Sequence, residues 1–174
     1  MDKFFTSLGI SLIIFASFIV YQRNNPSRIA FAKADVVIED VDKVLLQPNF
    51  IKISSLDINL PVYSSEIKNN KWEVVNDGVS YLKTSVSPGQ IGNSIMYGHN
   101  WSNLLGRLVK IKTGDVVEIN YTDNSKKEFI VTLIQEVNPN DVTILNETND
   151  RRLTIYTCSG FMDSKRFVVV AILK

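Results

Sequence analysis

The chain begins with an apolar run that contains no charged residue. Residues 4–20 have the sequence FFTSLGISLIIFASFIV, which puts apolar or small uncharged side chains on every face of a helix. A helix of this length reaches about 25 Å, the short end of what the hydrocarbon core of a membrane requires. A helix buried in a soluble domain is the alternative, but the terminal position and the lack of a polar face argue against it. We predict a membrane segment over residues 1–20.

The basic residues that flank this run do not determine its orientation. Lys3 precedes the run, and Arg23, Arg28 and Lys33 follow it, so neither side has a clear excess of positive charge. Small residues around 30–34 leave a cleavable signal peptide open as a second interpretation. We favour an uncleaved anchor, because the stretch after the run is long and basic for a cleavage region. Both interpretations place the rest of the chain outside the cytoplasm.

A mixed polar stretch follows, and from residue 50 the pattern is typical of short β-strands. Residues 21–48 are predicted to be a linker, or an arm that lies along the domain. Residues 72–81 are ambiguous between strand and short helix, and residues 101–107 suit one or two helical turns. Strands are expected over 51–60 (ending where Pro61 should break the pairing), 93–97, 116–121, 128–137, 153–157 and 167–173. This pattern predicts an all-β domain, a sandwich or a barrel with minor helix.

The net charge and the counts of cysteine and histidine exclude several classes of function. The 174 residues suit one domain with appendages, and 19 Lys and Arg against 18 Asp and Glu leave a formal net charge of +1. Such a balance lacks the basic surface expected of a nucleic-acid-binding protein. The chain has a single Cys, Cys158, and a single His, His99. One of each excludes an internal disulfide and a Cys/His zinc site within one chain, and leaves structural burial or thiol chemistry for the pair.

Three chemically capable residues stand at predicted strand ends, where a rigid sheet presents side chains to a rim. Cys158 ends the run 153–157, His99 follows the strand that closes at Gly98, and Arg166 opens the last strand. A cysteine nucleophile needs a neighbour that stabilises its thiolate, and an imidazolium is the usual one. Acyl transfer also needs a donor for the oxyanion, and a guanidinium is a strong donor. On counts alone, burial of the lone cysteine is the favoured alternative.

The motifs around these residues resemble those of the sortase family. The segment Thr154-Ile155-Tyr156-Thr157-Cys158 resembles the sortase signature T-L-x-T-C, with Ile in place of Leu. Gly98-His99 resembles the segment that carries the sortase histidine, and Arg166 falls where the sortase arginine does. The order His, Cys, Arg and the spacing of about 60 residues between His99 and Cys158 also match. The resemblance covers approximately residues 50–174.

The resemblance implies a closed eight-stranded β-barrel and a transpeptidation at the cell surface. Sortases cut a C-terminal sorting signal, commonly L-P-x-T-G, between its Thr and Gly, and pass the acyl group to an amine of peptidoglycan precursor or of a pilin. By this resemblance Cys158 is the nucleophile, His99 the acid and base, and Arg166 the oxyanion donor. No metal and no organic cofactor is implied. The expected organisation is a membrane segment or signal at 1–20, a linker at 21–48 and an extracytoplasmic catalytic domain at 49–174.

Four residues are candidates for substrate binding, each with a structural alternative. Thr157 would orient backbone or substrate, although threonine is common in strands for propensity alone. Trp101 would form a wall of the site or simply plug one end of the barrel. Leu145 would cap the substrate groove or fold its loop onto the barrel. Phe161 would contact substrate or pack within its own loop.

Two departures and three alternative functions remain open at this stage. Only seven residues separate Cys158 from Arg166, and residues 84–93 contain no acid, so neither the exact signal nor the calcium site of some sortases is expected to carry over. We do not assign a sortase class.

The alternatives are a catalytically idle peptide-binding module, a hydrolase using the same residues, and a different cell-wall acyl-transfer enzyme such as an L,D-transpeptidase. The last has a Ser-x-Gly-Cys segment that this chain lacks.

Overall fold

The computed structural model describes residues 2–23, 28–31, 46–68 and 71–174. The first element is helix α1, Asp2–Arg23. Its 19-residue stretch Phe4–Gln22 is long and apolar enough to cross a membrane, and it suits a signal sequence equally well by these criteria. None of that stretch is buried against the rest of the protein. The predicted cleavage region and linker fall largely on residues 24–27 and 32–45, which lie outside the described residues.

In the part of the chain that the structure describes, ten strands follow the helix, and eight of them close into a barrel. The strands are β1 Pro48–Ile53, β2 Ile58–Ser65, β3 Ile67–Lys68, β4 Lys71–Trp72, β5 Val79–Leu82, β6 Gly92–Gly98, β7 Val116–Tyr121, β8 Lys126–Val137, β9 Arg151–Ser159 and β10 Lys165–Leu173. Their order round the barrel is β1-β2-β5-β6-β9-β10-β8-β7, while β3 and β4 form a separate hairpin. Short 3-10 helices span Ser54–Leu56, Leu105–Lys110, Thr143–Leu145 and Phe161–Asp163. The all-β prediction with a closed eight-stranded barrel and short helices is confirmed.

One local prediction was wrong, and one stretch that the sequence left ambiguous is resolved by the structure. Pro61 does not end a strand but lies inside β2, opposite Phe50 of β1. Pairing of β2 with its other neighbour, β5, begins only at Val62, so the missing N–H of the proline interrupts no pairing on that side. Residues 72–81 contain no helix. Instead, Trp72 ends β4, and the chain enters the buried strand β5 at Val79.

Side chains alternate between the two faces of the barrel wall and form two apolar clusters. The interior cluster takes Met96 of β6, Ile155 of β9 and Val169 of β10. The second cluster takes alternate residues of the same three strands, which therefore face outward, such as Tyr97, Tyr156 and Val168. This outer face is covered by apolar residues from other parts of the chain: Ile29, Phe31, Trp72 and Leu145. The outer cluster contains Cys158, so it positions the site.

Candidate active site

The sheet register brings the three chemically capable residues side by side. Strands β6 and β9 run parallel with Gly98 opposite Thr157, so His99 emerges from β6 beside the position of Cys158. Strands β9 and β10 run antiparallel, and Cys158 is the direct partner of Arg166. Residues distant in sequence thus meet at one end of three adjacent strands.

Thr157 fixes the geometry at this end of the sheet. It precedes Cys158, so its side chain lies on the opposite face of β9. Its hydroxyl donates to the backbone carbonyl of Gly98 across 2.8 Å, and it is fully buried. This bond ties β9 to the end of β6 next to His99. The structure places Thr157 as a bridge between the two strands beneath the site.

His99 is buried and held by two neighbours. Its Nε2 lies 3.0 Å from the side-chain oxygen of Asn76, in the loop before β5. The ring of Trp101 stacks on the imidazole at a centroid distance of 4.3 Å and an angle of 6°. Burial lowers the pKa of His99, and the nearby carboxylate of Asp163 opposes that effect. The resting imidazole is therefore biased toward its neutral form.

Cys158 is a buried free thiol, only 4% exposed. Burial raises its pKa to about 11, and Asp163 adds to the rise, while the charges of Arg166 and Arg28 lower it. Its Sγ donates to the backbone carbonyl of Arg28 at 3.4 Å. In this arrangement Cys158 is a protonated thiol in contact with the segment that precedes the barrel.

Arg166 is buried with its guanidinium surrounded by backbone carbonyls. Nε donates to Ile29 at 3.0 Å, and one terminal nitrogen donates to Ala30 at 2.8 Å. The other terminal nitrogen donates to Asp163 at 3.0 Å and to Lys165 at 2.9 Å. A planar fork of this kind suits oxygen acceptors at several positions at once. The guanidinium is a ready donor to carbonyl oxygens beside Cys158.

The other candidates for substrate binding fall at different distances from this centre. Trp101 contacts His99 directly. Leu145 is buried in the outer cluster together with Tyr156 and Cys158. Phe161 lies in the short loop after β9 and is 86% exposed, so it packs against little of the described chain.

Several residues at the site carried no signal in the sequence. Asn76 lies in an irregular loop 23 positions before His99, and only the fold brings the two together. Asp163 sits in the loop after β9, where its carboxylate accepts from Asn100 at 3.0 Å. The third set is residues 28–31, which lay within the predicted linker and pack on the site. No group of three or more His, Cys, Asp or Glu suited to a metal ion occurs in the part of the chain that the structure describes.

Comparison with known proteins decides the family. The model of the family described as "Sortase domain" matches residues 51–174, most of the chain. The chain belongs to the sortase family. A curated relative, Sortase A of Bacillus anthracis, is 30% identical over 123 residues, which are 68% of this chain and 56% of the relative. Sortase A of Listeria monocytogenes is 29% identical over 71% of this chain and 55% of its own length.

Solved structures agree with this membership. Listeria monocytogenes sortase A matches with a TM-score of 0.60 and 28% identity, covering 72% of this chain and 86% of that one. Streptococcus pneumoniae sortase C matches with a TM-score of 0.65 and 20% identity, covering 90% and 87%, a likeness of fold alone. The chain spans just over half the length of the two curated relatives.

Proposed function

We propose that this sortase-family chain is a cysteine transpeptidase that acts on surface proteins with a C-terminal sorting signal. The observation that carries the proposal is the pairing of Cys158 with Arg166 across β9 and β10, with His99 at the adjacent strand end. In this proposal a nucleophile, an acid and base, and an oxyanion donor share one rim of a rigid barrel. Acyl transfer needs all three roles.

Acylation would proceed in balanced steps. His99 takes the thiol proton, and the Cys158 thiolate attacks the scissile carbonyl, forming the C–S bond. The guanidinium of Arg166 donates to the oxygen as negative charge develops on it. The imidazolium then protonates the leaving nitrogen as the C–N bond breaks. The product is a thioester of Cys158 and a free amine fragment.

Deacylation reverses the proton path with a second amine. The acceptor amine attacks the thioester carbonyl to form the new C–N bond, and His99 takes its proton. The C–S bond breaks, and the imidazolium returns that proton to the departing thiolate of Cys158. The acceptor proposed is an amine of peptidoglycan precursor or of a pilin subunit. Water in place of the amine would make the same site a hydrolase. The proposed location is the outer side of the cell membrane, with α1 as a single-pass anchor.

Intact mass spectrometry tests the proposal directly. The full chain in detergent would be incubated with L-P-x-T-G-like peptides, each with and without a free amine. We expect an acyl adduct on Cys158 that resolves into an amine-linked product, with Cys158→Ala as the control that forms no adduct. Release of free acid even with saturating amine would indicate a hydrolase. Binding of peptide without any adduct would indicate an idle binding module and contradict the proposal.

A further inference from the structure

The loop between β9 and β10 presents two apolar side chains to solvent. Phe161 is 86% exposed and Met162 is 44% exposed. Both belong to the short 3-10 helix Phe161–Asp163, in which no residue is buried. We call Phe161 and Met162 the loop tip. Single exposed apolar residues are common on protein surfaces, so the position of the loop tip in the molecule must decide what it does.

The backbone of the loop holds the loop tip away from the barrel. Gly160, Met162 and Asp163 have positive φ angles of 74°, 51° and 60°. Such angles cost glycine little, but they are unfavourable for the two residues that have a Cβ atom. Met162 gains no burial from this conformation, because its side chain remains exposed. Unfavourable backbone conformations of this kind are found where function requires them, which indicates a contact outside the chain.

The one acidic residue of the loop is paired. The carboxylate of Asp163 lies 3.8 Å from the guanidinium of Arg28 and accepts from the side-chain amide of Asn100 at 3.0 Å. The ammonium of Lys165 donates to the side chain of Asn138 at 2.6 Å. The loop tip therefore has no unpaired carboxylate beside it within this loop, and an apolar surface could approach it without stranding a charge.

The chain between α1 and the candidate active site is short. Helix α1 ends at Arg23. The carbonyl of Arg28 accepts from Sγ of Cys158 at 3.4 Å, and that of Ile29 accepts from Arg166 at 3.0 Å. Even fully extended, the chain from Arg23 to Arg28 reaches only about 18 Å. If α1 spans the membrane as proposed, the end of the sheet that carries the site therefore lies close to the membrane surface.

The barrel is too long for the opposite orientation. Strand β9 is Arg151–Ser159, a length of about 26 Å, or about 20 Å along the barrel axis with the usual tilt. With the Arg151 end on the membrane, the site would stand about 20 Å above a headgroup layer that itself adds about 5–8 Å. The chain from Arg23 reaches about 18 Å, which is too short. The end that carries Cys158 is therefore the end held toward the membrane.

We propose that the loop tip is a second membrane contact, which inserts into the interface of the bilayer that α1 spans. The proposal rests on the proposed anchor and not on transpeptidation. Apolar and aromatic side chains are favoured in the interfacial region of a membrane. Two such side chains are too few to bind a membrane alone, but the anchor keeps them at a high effective concentration of lipid. With two contacts, the end of the sheet that carries Cys158 is held against the membrane surface.

Spin labels at the two ends of the barrel test the proposal. Cys158 is the single cysteine of the chain, so in a Cys158→Ala background one introduced cysteine carries the only nitroxide. Phe161→Cys places the label on the loop tip. Ile91→Cys is the matched control, because Ile91 is also an exposed apolar residue, at 61%. It precedes Gly92, which pairs with Arg151 at the opposite end of β9.

The full chain would be inserted into phosphatidylcholine vesicles, and collisions of each nitroxide would be measured by EPR power saturation. Oxygen concentrates in lipid, whereas a neutral nickel chelate stays in water. The ratio of oxygen to nickel collisions should be several-fold higher at position 161 than at position 91, because an interfacial side chain lies about 5–10 Å into the headgroup and acyl boundary. Equal, water-like ratios at both positions, in a chain that floats with the vesicles, would overturn the proposal.

Other results would also overturn the proposal. A lipid-like ratio at both positions would mean that the domain lies on its side. A label at position 161 that meets neither reagent would mean that a protein surface, and not lipid, covers the loop tip. A chain that does not float with the vesicles would remove the anchor and the loop contact together. The Cys158→Ala background makes the measurement independent of transpeptidation, so a wild-type chain that turns over no peptide would contradict the transpeptidase alone.

Discussion

At the scale of the residue, the outer cluster contains two tyrosines, Tyr97 and Tyr156, whose hydroxyl groups differ in their hydrogen bonding. The side chain of Tyr156 is fully buried between Phe31 and Tyr97, and its hydroxyl has no hydrogen-bond partner in the described part of the chain. Its stacking neighbour Tyr97 differs, because the Tyr97 hydroxyl donates to the carbonyl of Glu73 at 2.6 Å. A buried polar group without a partner costs about 1–3 kcal/mol. The Tyr156 hydroxyl is therefore a destabilising group within the outer cluster.

This contrast predicts opposite effects of the same change at two neighbouring rings. Tyr97→Phe should lower the free energy of unfolding by about 1 kcal/mol, because a hydrogen bond is lost and the Glu73 carbonyl is left with one partner fewer. Tyr156→Phe should leave the free energy of unfolding unchanged or raise it, because the Tyr156 hydroxyl has no hydrogen bond to lose among the described residues. Scanning calorimetry of both variants measures the difference, about 2–4 °C per kcal/mol for a chain of this size. Equal destabilisation by the two changes would show that the Tyr156 hydroxyl is bonded.

Cys158 provides a prediction on pH. The charged groups that act on it are Arg166 from β10, Asp163 from the short loop and Arg28 from the segment before the barrel. Burial raises the pKa of the thiol to about 11 from its ordinary value of 9.0. The protonated thiol therefore contributes to stability fully below about pH 9, and this contribution is lost as the pH rises through about 11.

Thiolate absorbance measures this titration, with Cys158→Ala subtracted to remove the tyrosine signal. We expect the wild-type thiol to ionise near the upper end of the interval between 9.0 and about 11. In Phe31→Ala the thiol should ionise at a lower pH, because loss of the phenyl ring from the outer cluster admits water to the sulfur. A wild-type midpoint at or below neutral pH would mean that the resting enzyme already holds a thiolate.

At the scale of the element, the loop between β4 and β5 acts on the site through His99. Its residue Asn76 is exposed to solvent, yet its side-chain oxygen lies 3.0 Å from Nε2 of the buried imidazole. This oxygen accepts from Nε2–H and so favours the imidazolium, which burial disfavours. Strand β6 brings His99 to the end of the barrel, and the contact with Asn76 then orients the imidazole ring. Asn76 is therefore a positioning residue for His99.

Replacing Asn76 should change the pH profile more than substrate binding. In Asn76→Ala the imidazolium loses an acceptor, so we expect the His99-dependent limb of the kcat profile to move to lower pH. The value of kcat should fall several-fold with KM little changed. The neighbouring Asp77→Asn is the control, because the carboxylate of Asp77 accepts a hydrogen bond from Tyr63 at 3.4 Å. A pH profile identical to that of wild type would assign Asn76 a merely structural role.

At the scale of the whole molecule, an exposed apolar helix precedes a barrel with a sealed interior. The side chains of Ile10 and Ile14 are more than half exposed on α1, whereas the residues that face into the barrel are almost fully buried. A run of exposed apolar side chains of this length is stable where lipid surrounds it. Helix α1 therefore suits the proposed role of a membrane anchor.

Lysines in the helix test the anchor. Each lysine at the centre of a membrane helix costs about 2.5–3.5 kcal/mol on insertion, so the double change Ile10→Lys and Ile14→Lys should release the protein from the membrane fraction. Ile91→Lys places the same charge on an exposed site of the barrel and should leave fractionation unchanged. Carbonate extraction of membranes followed by immunoblotting distinguishes the two. Equal extraction of the wild-type protein, the double variant and Ile91→Lys would contradict an anchoring role for α1.

Much of the fold and the centre of the site could be predicted from the sequence because their signals are local. The strand at Val116–Tyr121 begins and ends where alternation and turns placed it, and the nearly continuous apolar run 167–173 lies in β10, buried on both faces of the wall. The predicted strand break at Pro61 was wrong, and residues 72–81 stayed ambiguous. In both places the secondary structure depends on which neighbouring strand pairs with the segment. His99, Cys158 and Arg166 lie in sequence motifs that can be recognised without a structure.

What only the tertiary structure decided is which distant groups surround those three residues. By itself the sequence determined an apolar N-terminal helix, a strand-rich domain and one Cys, one His and one Arg at strand ends. The β9–β10 hairpin pairs Cys158 with Arg166 locally, whereas packing of distant segments brought His99 beside that hairpin and Asn76 to His99. It also covered the outer faces of β6, β9 and β10 with apolar residues from distant segments, such as Phe31, Trp72 and Leu145. Contacts between segments this far apart depend on packing in three dimensions, which no local pattern of residues encodes.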